Sequence, residues 1–454
     1  MDRRTIVLVF CCAFALCALV TKPRALSWND TSRLATVDSL VSRHTFAIDD
    51  SPFAAQTKDK YRFGGHTYSD KPPALALQGA AVAAVLAPFG ITPVREPGRA
   101  IYLITLFTVG AWFALGCAYA YAFARLLGCE PRRAVLVAAL TGLGTLALPY
   151  ATVLVNHVPA GAAALAGVYH LVRAGERFAH AVAGALFLTL AFAFDASAIV
   201  FALAAVVLLW GAPVRIWAAF VAASIPLVLA QLAFNAAVST GVGPPAMNQT
   251  TWADPSSAFH RADQSVFLFA SAGDYLRYMT YLLVGDKGLI SYTPLTLLCA
   301  YGFVRMWAGS RDTRRIAAAI VATVIVYFVL MVAFTNDYGS LNYGERRYAD
   351  VFFVLCVGLG PALAGLRGAM ANIAARVAIA WSIVVAMLGV IAPFGVHRGA
   401  SGYVFATEEF ARLAQRAPVQ AVLDVGVLLV TIYLVLRSLS SGAAATPDTG
   451  RHVA

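Results

Sequence analysis

The sequence has few charged residues. Asp, Glu, Lys and Arg make up 13% of the 454 residues, whereas apolar residues make up 60%. A soluble protein of this length needs more polar side chains to cover its surface. The composition therefore excludes a soluble globular protein and indicates a chain that spans a membrane many times. The mean hydropathy of +0.73 agrees with this class.

Lysine is especially scarce, so arginine supplies most of the net charge of +11. Many arginines lie in short connections between apolar runs, such as 124–134, 173–178 and 305–315. Such clusters mark the cytoplasmic ends of membrane helices, and we expect no nucleic-acid partner. The five lysines all fall in two longer connections that we place on the outer side: Lys22, Lys58, Lys60, Lys71 and Lys287.

Pairs of cysteines in outer loops are also lacking. Most of the seven cysteines lie inside apolar runs, and none has a partner in a plausible outer loop. We therefore expect no disulfide framework.

Twelve apolar runs come close to the ~20 residues that a membrane-spanning helix needs. Their approximate ranges are 5–21, 100–123, 134–150, 158–172, 179–194, 196–211, 216–237, 289–308, 316–334, 349–366, 376–395 and 419–436. A thirteenth run, 74–91, decides the topology. If it does not cross, the Arg-rich connections face the cytoplasm, so we interpret it as an interfacial or re-entrant segment. The sequence thus predicts an all-α polytopic membrane protein with about 12–13 transmembrane helices.

The predicted topology gives a single transmembrane domain, 1–438, followed by a polar cytoplasmic tail, 439–454. Two long loops, 22–99 and 238–288, lie on the outer face, and no inner loop has a comparable length. We therefore expect any chemistry on the outer face of the inner (cytoplasmic) membrane.

The first outer loop contains three local signals. Asn29 or Asp30 can cap a short amphipathic helix, which we expect on the membrane surface. The segment 61–68 predicts a β-hairpin that turns at its two adjacent glycines. Two prolines at 72–73 hold Lys71 at the membrane surface, where lipid phosphates lie. From the residues alone two plainer interpretations stay open: Asp30 is only a capping residue, or Lys71 merely anchors the next helix.

These elements resemble the lipid-linked-sugar glycosyltransferases of the C-type fold, above all the bacterial branch with the protein O-mannosyltransferases and the aminoarabinose transferase of lipid A. In that branch the first outer loop opens with an Asp-Glu-x-Arg-Tyr-type element and closes with Asp-Lys-Pro-Pro. Asp30 and Arg33 fit the first element, although its Glu and Tyr are replaced, and the closing motif is intact at 70–73. The segments 286–302 and 342–350 resemble the family's Gly-Leu-x-x-Tyr-x-Pro and Gly-x-Arg-Arg-Tyr elements.

The resemblance implies an enzyme that transfers a sugar, with inversion, from a polyprenyl-phosphate donor to an acceptor hydroxyl of a glycan, lipid or protein. Such a reaction needs a carboxylate to deprotonate the acceptor and cations to stabilise the departing phosphate. Asp30 is the implied general base. The implied ligands of the lipid phosphate are Lys71, Arg346 and Arg347, with Arg33 as a further candidate.

Polar residues near the ends of apolar runs are the candidates for contact with the sugar or the acceptor, namely Asn156, His157, Asp195 and Tyr348. Some relatives bind a divalent cation and others need none. The outer-face candidates for its ligands are His66, Asp70, His157 and His260, which show no recognised ligand spacing.

A transporter or flippase of lipid-linked sugars is the alternative function. It predicts ionisable residues buried in the middle of spans. Such residues are scarce here apart from Asp195 and Asp424, so the sequence favours the enzyme.

Overall fold

The computed structural model describes residues 2–260, 271–335, 337–395 and 402–441. The described chain is mainly helical, with one small hairpin. Its elements are α1 (Arg3–Val20), α2 (Trp28–Arg43), β1 (Lys60–Phe63), β2 (His66–Ser69), α3 (Pro73–Leu86), α4 (Pro97–Thr105), α5 (Ala111–Leu126), α6 (Pro131–Leu143), α7 (Ala147–Ala151), α8 (His157–Val172), α9 (Phe178–Phe194), α10 (Ala202–Leu209), α11 (Val214–Val238), α12 (Gln249–Ala253), α13 (Ala272–Val284), α14 (Leu289–Tyr292), α15 (Leu295–Trp307), α16 (Arg311–Phe334), α17 (Ala349–Leu355), α18 (Leu359–Gly365), α19 (Ala369–Ile391), α20 (Gly402–Arg416) and α21 (Pro418–Ser441).

Seven described helices are long and apolar enough to cross a membrane, or up to eight if one bent pair counts as a span. The bent pair is Ala272–Tyr292 with Leu295–Trp307, at 89°. The seven are Arg3–Val20, Pro97–Leu126, Val214–Val238, Arg311–Phe334, Arg346–Gly365, Ala369–Ile391 and Pro418–Leu439. Each of the twelve predicted runs falls on helix, and the all-α polytopic fold is confirmed.

The count of long helices is lower than the twelve predicted runs because several runs are short or broken. The run 134–150 is divided between α6 and α7, which are separated by Gly144–Leu146. Pro294 divides the run 289–308, since proline restricts the residue before it and lacks the amide hydrogen that a continuous helix needs. The runs 179–194 and 196–211 form the shorter apolar helices Phe178–Phe194 and Ala196–Leu209.

The segment 74–91 forms the short helix α3, which continues as a 3₁₀ turn to Phe89. The 14 residues of α3 extend about 21 Å, less than the ~30 Å of a bilayer core. Gly90 ends the turn with a φ of 76°. The re-entrant position of this segment stays a prediction, and its short length supports it.

Within the first outer loop, the residues that follow α2 fold back over this helix. Ser27, and not Asn29 or Asp30, is the N-cap, because its hydroxyl accepts a hydrogen bond from the Asp30 N–H. Residues 29–39 of α2 are buried, so other parts of the protein cover this helix, and its place on the membrane surface stays a prediction. Strands β1 and β2 pair antiparallel across the turn at Gly64–Gly65, as predicted. Both glycines have positive φ values, which suit a tight hairpin turn.

Part of the second outer loop packs against this hairpin. The Asp254 carboxylate accepts from the Arg62 N–H at 2.6 Å, and the Ala258 N–H donates to the Lys58 carbonyl at 2.7 Å. These bonds bring Phe259 close to the end of the first loop, where its ring centroid lies 5.1 Å from Lys71 Nζ. The two outer loops therefore build one surface together.

Helix α8 lies in the core of the bundle. All of its residues except His170 and Val172 are buried. It passes very close to the start of α17, since a Cβ atom at Gly161 would lie 2.2 Å from the Ala349 carbonyl oxygen. Small residues allow such close approach of membrane helices. This crossing brings His157, at the start of α8, next to Asp350.

Candidate functional site

A cavity of about 780 Å³, named the main cavity below, lies between the first outer loop and the residues 334–335 and 337–347. Three segments supply most of its walls: the start of α2, the end of α16 with the residues that follow it, and residues 258–260 of the second outer loop. Its charged and strongly polar lining residues are Asn29, Gln56, Asp59, His260, Asp337, Asn342, Arg346 and Arg347. Aromatic rings of Trp28, Phe259, Phe334 and Phe394 also line it.

Asp30 lies in the first turn of α2, between two residues that line the main cavity, Asn29 and Thr31. Its Oδ2 accepts from the Leu26 N–H at 2.9 Å, while its buried Oδ1 has no partner among the described residues. Burial raises the pKa of Asp30 to about 6, and the positive charges of Arg33 and Arg346 act in the opposite direction. This carboxylate therefore has a free acceptor atom and a raised proton affinity.

Lys71 does not line the main cavity, but it lines a small pocket together with Arg33. Its Nζ contacts the Oδ2 atoms of Asp59 at 2.8 Å and of Asp70 at 3.1 Å. Burial raises the pKa of Asp70 to about 6, while the Lys71 charge lowers it. The charge of Lys71 is thus already shared between two carboxylates.

The two adjacent arginines at 346 and 347 differ in their partners. Arg347 forms ion pairs with Asp337 at 2.9 Å and with the buried Glu345 at 3.0 Å. Arg346 has a long contact of 3.4 Å from Nη1 to Asn342 Oδ1, and its buried Nε has no described partner. Within the described ranges, Arg346 is therefore the cavity-lining arginine without an ion pair.

A buried chain of hydrogen bonds connects Arg33 to the start of α8. Arg33 Nη2 donates to Asn156 Oδ1 at 2.5 Å, and Asn156 Nδ2 donates to Asp195 Oδ2 at 2.5 Å. His157 Nδ1 lies 3.1 Å from both Asp195 Oδ2 and Asp350 Oδ2. The network thus places Asn156, His157 and Asp195 in one cluster, outside the lining of the main cavity.

His157, Asp195 and Asp350 form a group that could hold a metal ion, with one ligand atom from each residue and all three within 4.8 Å of one another. An imidazole nitrogen and two carboxylate oxygens suit several divalent cations. Within the part of the chain that the structure describes, neither carboxylate pairs with Lys or Arg. The charge and the donor atoms therefore both fit a divalent cation.

The remaining predicted candidates lie in different parts of the structure. Tyr348 is buried and donates to the Leu282 carbonyl, away from the cavity lining. His66 is exposed, with Nδ1 3.1 Å from Asp49 Oδ2, whereas His260 lines the cavity. Among the described residues, His66, Asp70 and His260 do not form a group whose ligand atoms could share an ion.

Sequence reasoning missed Asp59 and Asp350. Asp350 ends the 342–350 element that supplied part of the family resemblance, and its position at the start of an apolar run was a usable signal. Asp59 lies between two lysines in the sequence, and its pairing with Lys71 depends on the hairpin, so no local pattern marked it.

Comparisons with known proteins bear on the fold. No family model and no curated protein matches the chain. The apo oligosaccharyltransferase of Archaeoglobus fulgidus is similar in structure, with 14% identity and a TM-score of 0.52, over 87% of this chain and 57% of that one. The chain therefore spans little more than half of that enzyme.

A second similar structure is ArnT from Cupriavidus metallidurans bound to undecaprenyl phosphate. It has 15% identity and a TM-score of 0.49, over 98% of this chain and 79% of that one. The likeness to the archaeal enzyme shows the fold alone. A fold by itself does not assign a reaction. The chain is a multi-pass membrane protein with the C-type glycosyltransferase fold, as the sequence resemblance implied.

Proposed function

We propose that the protein is an inverting glycosyltransferase that moves a sugar from a polyprenyl phosphate to an acceptor hydroxyl on the outer face of the inner membrane. The observation that carries this proposal is the main cavity, which has Arg346 on one wall and the residues that flank Asp30 on another. A cation for the lipid phosphate and a carboxylate with a free oxygen are the two groups that this transfer needs.

Each residue has a defined part in the proposed reaction. The acceptor hydroxyl gives its proton to Asp30 Oδ1 while its oxygen forms a bond to the anomeric carbon of the sugar. The bond from that carbon to the phosphate oxygen breaks, and the polyprenyl phosphate leaves with the electron pair. Arg346 stabilises the negative charge on the leaving phosphate. The acceptor must reach the buried Oδ1, and catalytic contacts of unliganded enzymes commonly form fully only in the complex.

Lys71, Arg347 and Arg33 remain further candidates for the phosphate, although their present contacts support a positioning role. Arg347 and Lys71 are each paired with two carboxylates. Arg33 is buried and bonds to Asn156. Among the described residues that line the cavity, Arg346 is therefore the arginine without an ion pair, and an anion that enters the cavity meets it.

We expect Arg346→Gln to weaken the binding of undecaprenyl phosphate by about ten- to a hundredfold, because a hydrogen bond between charged groups contributes about 1.5–3 kcal/mol. Binding of the radiolabelled lipid to protein in nanodiscs measures this change. The exposed Arg95 of the first outer loop provides a matched control, and Arg95→Gln should bind as the wild type does. An unchanged affinity in Arg346→Gln contradicts the assignment.

A divalent cation, when present, would be held by His157, Asp195 and Asp350. It would add positive charge between the buried Asp350 and the half-buried Asp195 carboxylates. Because these residues do not line the main cavity, we propose that they stabilise the crossing of α8 and α17 and do not contact the reacting atoms.

A transferase breaks the covalent bond between the sugar and the phosphate of the donor, whereas the alternative, a flippase, does not. This difference distinguishes the two functions. Purified protein in liposomes receives undecaprenyl phosphate carrying a radiolabelled glucose, mannose or arabinose, together with an envelope extract that supplies acceptors. We expect the label of one donor to appear in a product that separates chromatographically from the intact donor lipid. Movement of intact donor between leaflets, without transfer, contradicts the proposed function.

A further inference from the structure

We infer that Asp59, Gln56 and His260 form a subsite that binds the hydroxyl groups of the donor sugar. The inference rests on the proposed function and names residues that touch the sugar. All three line the main cavity, whereas none of the predicted sugar contacts Asn156, His157, Asp195 and Tyr348 does so.

Asp59 is held in a fixed position at the cavity wall. The Lys71 ammonium contacts its Oδ2 at 2.8 Å. Its backbone is also bound, since the Asp59 N–H donates to Thr57 Oγ1 at 3.0 Å and Ser32 Oγ donates to the Asp59 carbonyl at 2.5 Å. The aspartate is 8% exposed and borders the cavity. Lys71 thus positions a carboxylate that retains acceptor capacity toward a ligand.

The two neighbouring groups also present acceptor atoms. Gln56 Nε2 donates to the Pro52 carbonyl at 3.1 Å, which leaves its amide oxygen as an acceptor. His260 Nδ1 lies 2.9 Å from the Trp252 carbonyl, and because a carbonyl only accepts, Nδ1 carries the hydrogen. In the neutral imidazole Nε2 is then an acceptor. The wall therefore offers three hydrogen-bond acceptors, which fit hydroxyl donors.

The sugar and the phosphate of a lipid-linked sugar fit different residues of the cavity. The three hydrogen-bond acceptors Gln56, Asp59 and His260 disfavour a phosphate because the Asp59 carboxylate is negative. Arg346 favours the phosphate instead. Trp28 lines the same cavity and is 48% exposed. Lys58 Nζ lies over one face of its ring, 5.6 Å from the centroid, so the other face is the one we assign to the sugar ring. A headgroup with several hydroxyls and one anionic end therefore matches the groups that line this cavity.

The test compares the binding of bare undecaprenyl phosphate with that of undecaprenyl phosphate glucose, mannose and arabinose in nanodiscs. We expect the wild type to bind at least one sugar-bearing lipid at least tenfold more tightly than the bare lipid. Asp59→Asn should lose most of this preference and bind the bare lipid unchanged. Asp49→Asn, at an exposed aspartate of the same loop, should keep the preference.

Binding of the bare lipid reports an intact cavity in every variant. If Asp59→Asn no longer binds the bare lipid, His260→Ala is the deciding variant. It should bind the bare lipid but show a lower preference for the sugar-bearing lipid. Lys71→Arg should retain the preference that Lys71→Met loses, as expected for a residue that positions Asp59. A preference that persists in Asp59→Asn, or a wild type without any preference, overturns the subsite. A wild type that does not bind bare undecaprenyl phosphate contradicts the proposed function instead.

Discussion

Asp30→Asn is expected to lower kcat for sugar transfer by about a hundred- to ten-thousand-fold, the contribution of a positioned general base. The substitution keeps the size of the side chain, and an amide placed with its oxygen toward Leu26 still accepts the N–H that Oδ2 now binds. It removes the proton acceptor at Oδ1. The initial rate of label transfer from the active undecaprenyl-phosphate sugar measures the loss.

Asp38→Asn provides the matched control for this substitution. Asp38 is also buried in α2, but its carboxylate pairs with Arg43 at 2.7 Å and does not line the main cavity. We expect its transfer rate to stay near that of the wild type. Equal rates for Asp30→Asn and Asp38→Asn contradict the assignment of Asp30 as the base.

The pH dependence of transfer provides a second measure of the same residue. Burial favours the neutral acid and raises the pKa of Asp30 to about 6, and only the ionised carboxylate can take a proton. We therefore expect kcat/KM of the wild type to be constant above pH 7 and to fall as the pH decreases through about 6. The residual activity of Asp30→Asn should lack this acid limb. A limb near pH 4 in the wild type indicates a solvated carboxylate and contradicts the role of the buried one.

The positions of the helices could be predicted because hydropathy is a local property. All twelve apolar runs fall on helix, and the hairpin follows from a glycine pair between short alternating segments. The N-cap of α2 was misplaced by two or three residues, since Ser27, Asn29 and Asp30 are all good capping residues. The amphipathic pattern of α2 showed two different faces. It did not show that the hairpin would cover the polar face, where Ser32 contacts Ser69, or that α3 would pack on the apolar face at Val37.

The partners of the charged residues could not be predicted from one sequence. Lys71 was identified from its motif, but its pairing with Asp59 depends on the register of β1 and β2. Likewise, the arginine pair was recognised, yet only the fold of the segment 337–347 shows that Arg347 has ion-pair partners, whereas Arg346 has none within the described ranges. Long-range packing therefore divides the predicted phosphate ligands into one available cation and several positioned ones.

Asp350→Ala is expected to lower the free energy of unfolding by about 3–5 kcal/mol, the usual cost of removing one partner of a buried ion pair. Asp350 is fully buried and accepts from Tyr327 Oη at 2.5 Å, besides its contact with His157. Its loss removes one acceptor from each of these groups at the place where α8 and α17 cross, and leaves His157 with Asp195 and Tyr327 with the Arg347 carbonyl. Unfolding in a graded detergent mixture measures the change, with Asp424→Ala in α21 as a control that should change it by less than about 0.5 kcal/mol.

The same variant tests the proposed cation. If a divalent ion binds His157, Asp195 and Asp350, a chelator should lower the Tm of the wild type and leave the Tm of Asp350→Ala unchanged, because binding to the folded state alone raises stability. Mg²⁺, Mn²⁺ or Zn²⁺ added back should restore the wild-type Tm. A wild-type Tm that responds to neither chelator nor metal contradicts the ion, and the cluster is then held by the His157 imidazolium between two carboxylates. In both cases the cluster acts on stability, since its residues lie outside the cavity in which we place the reaction.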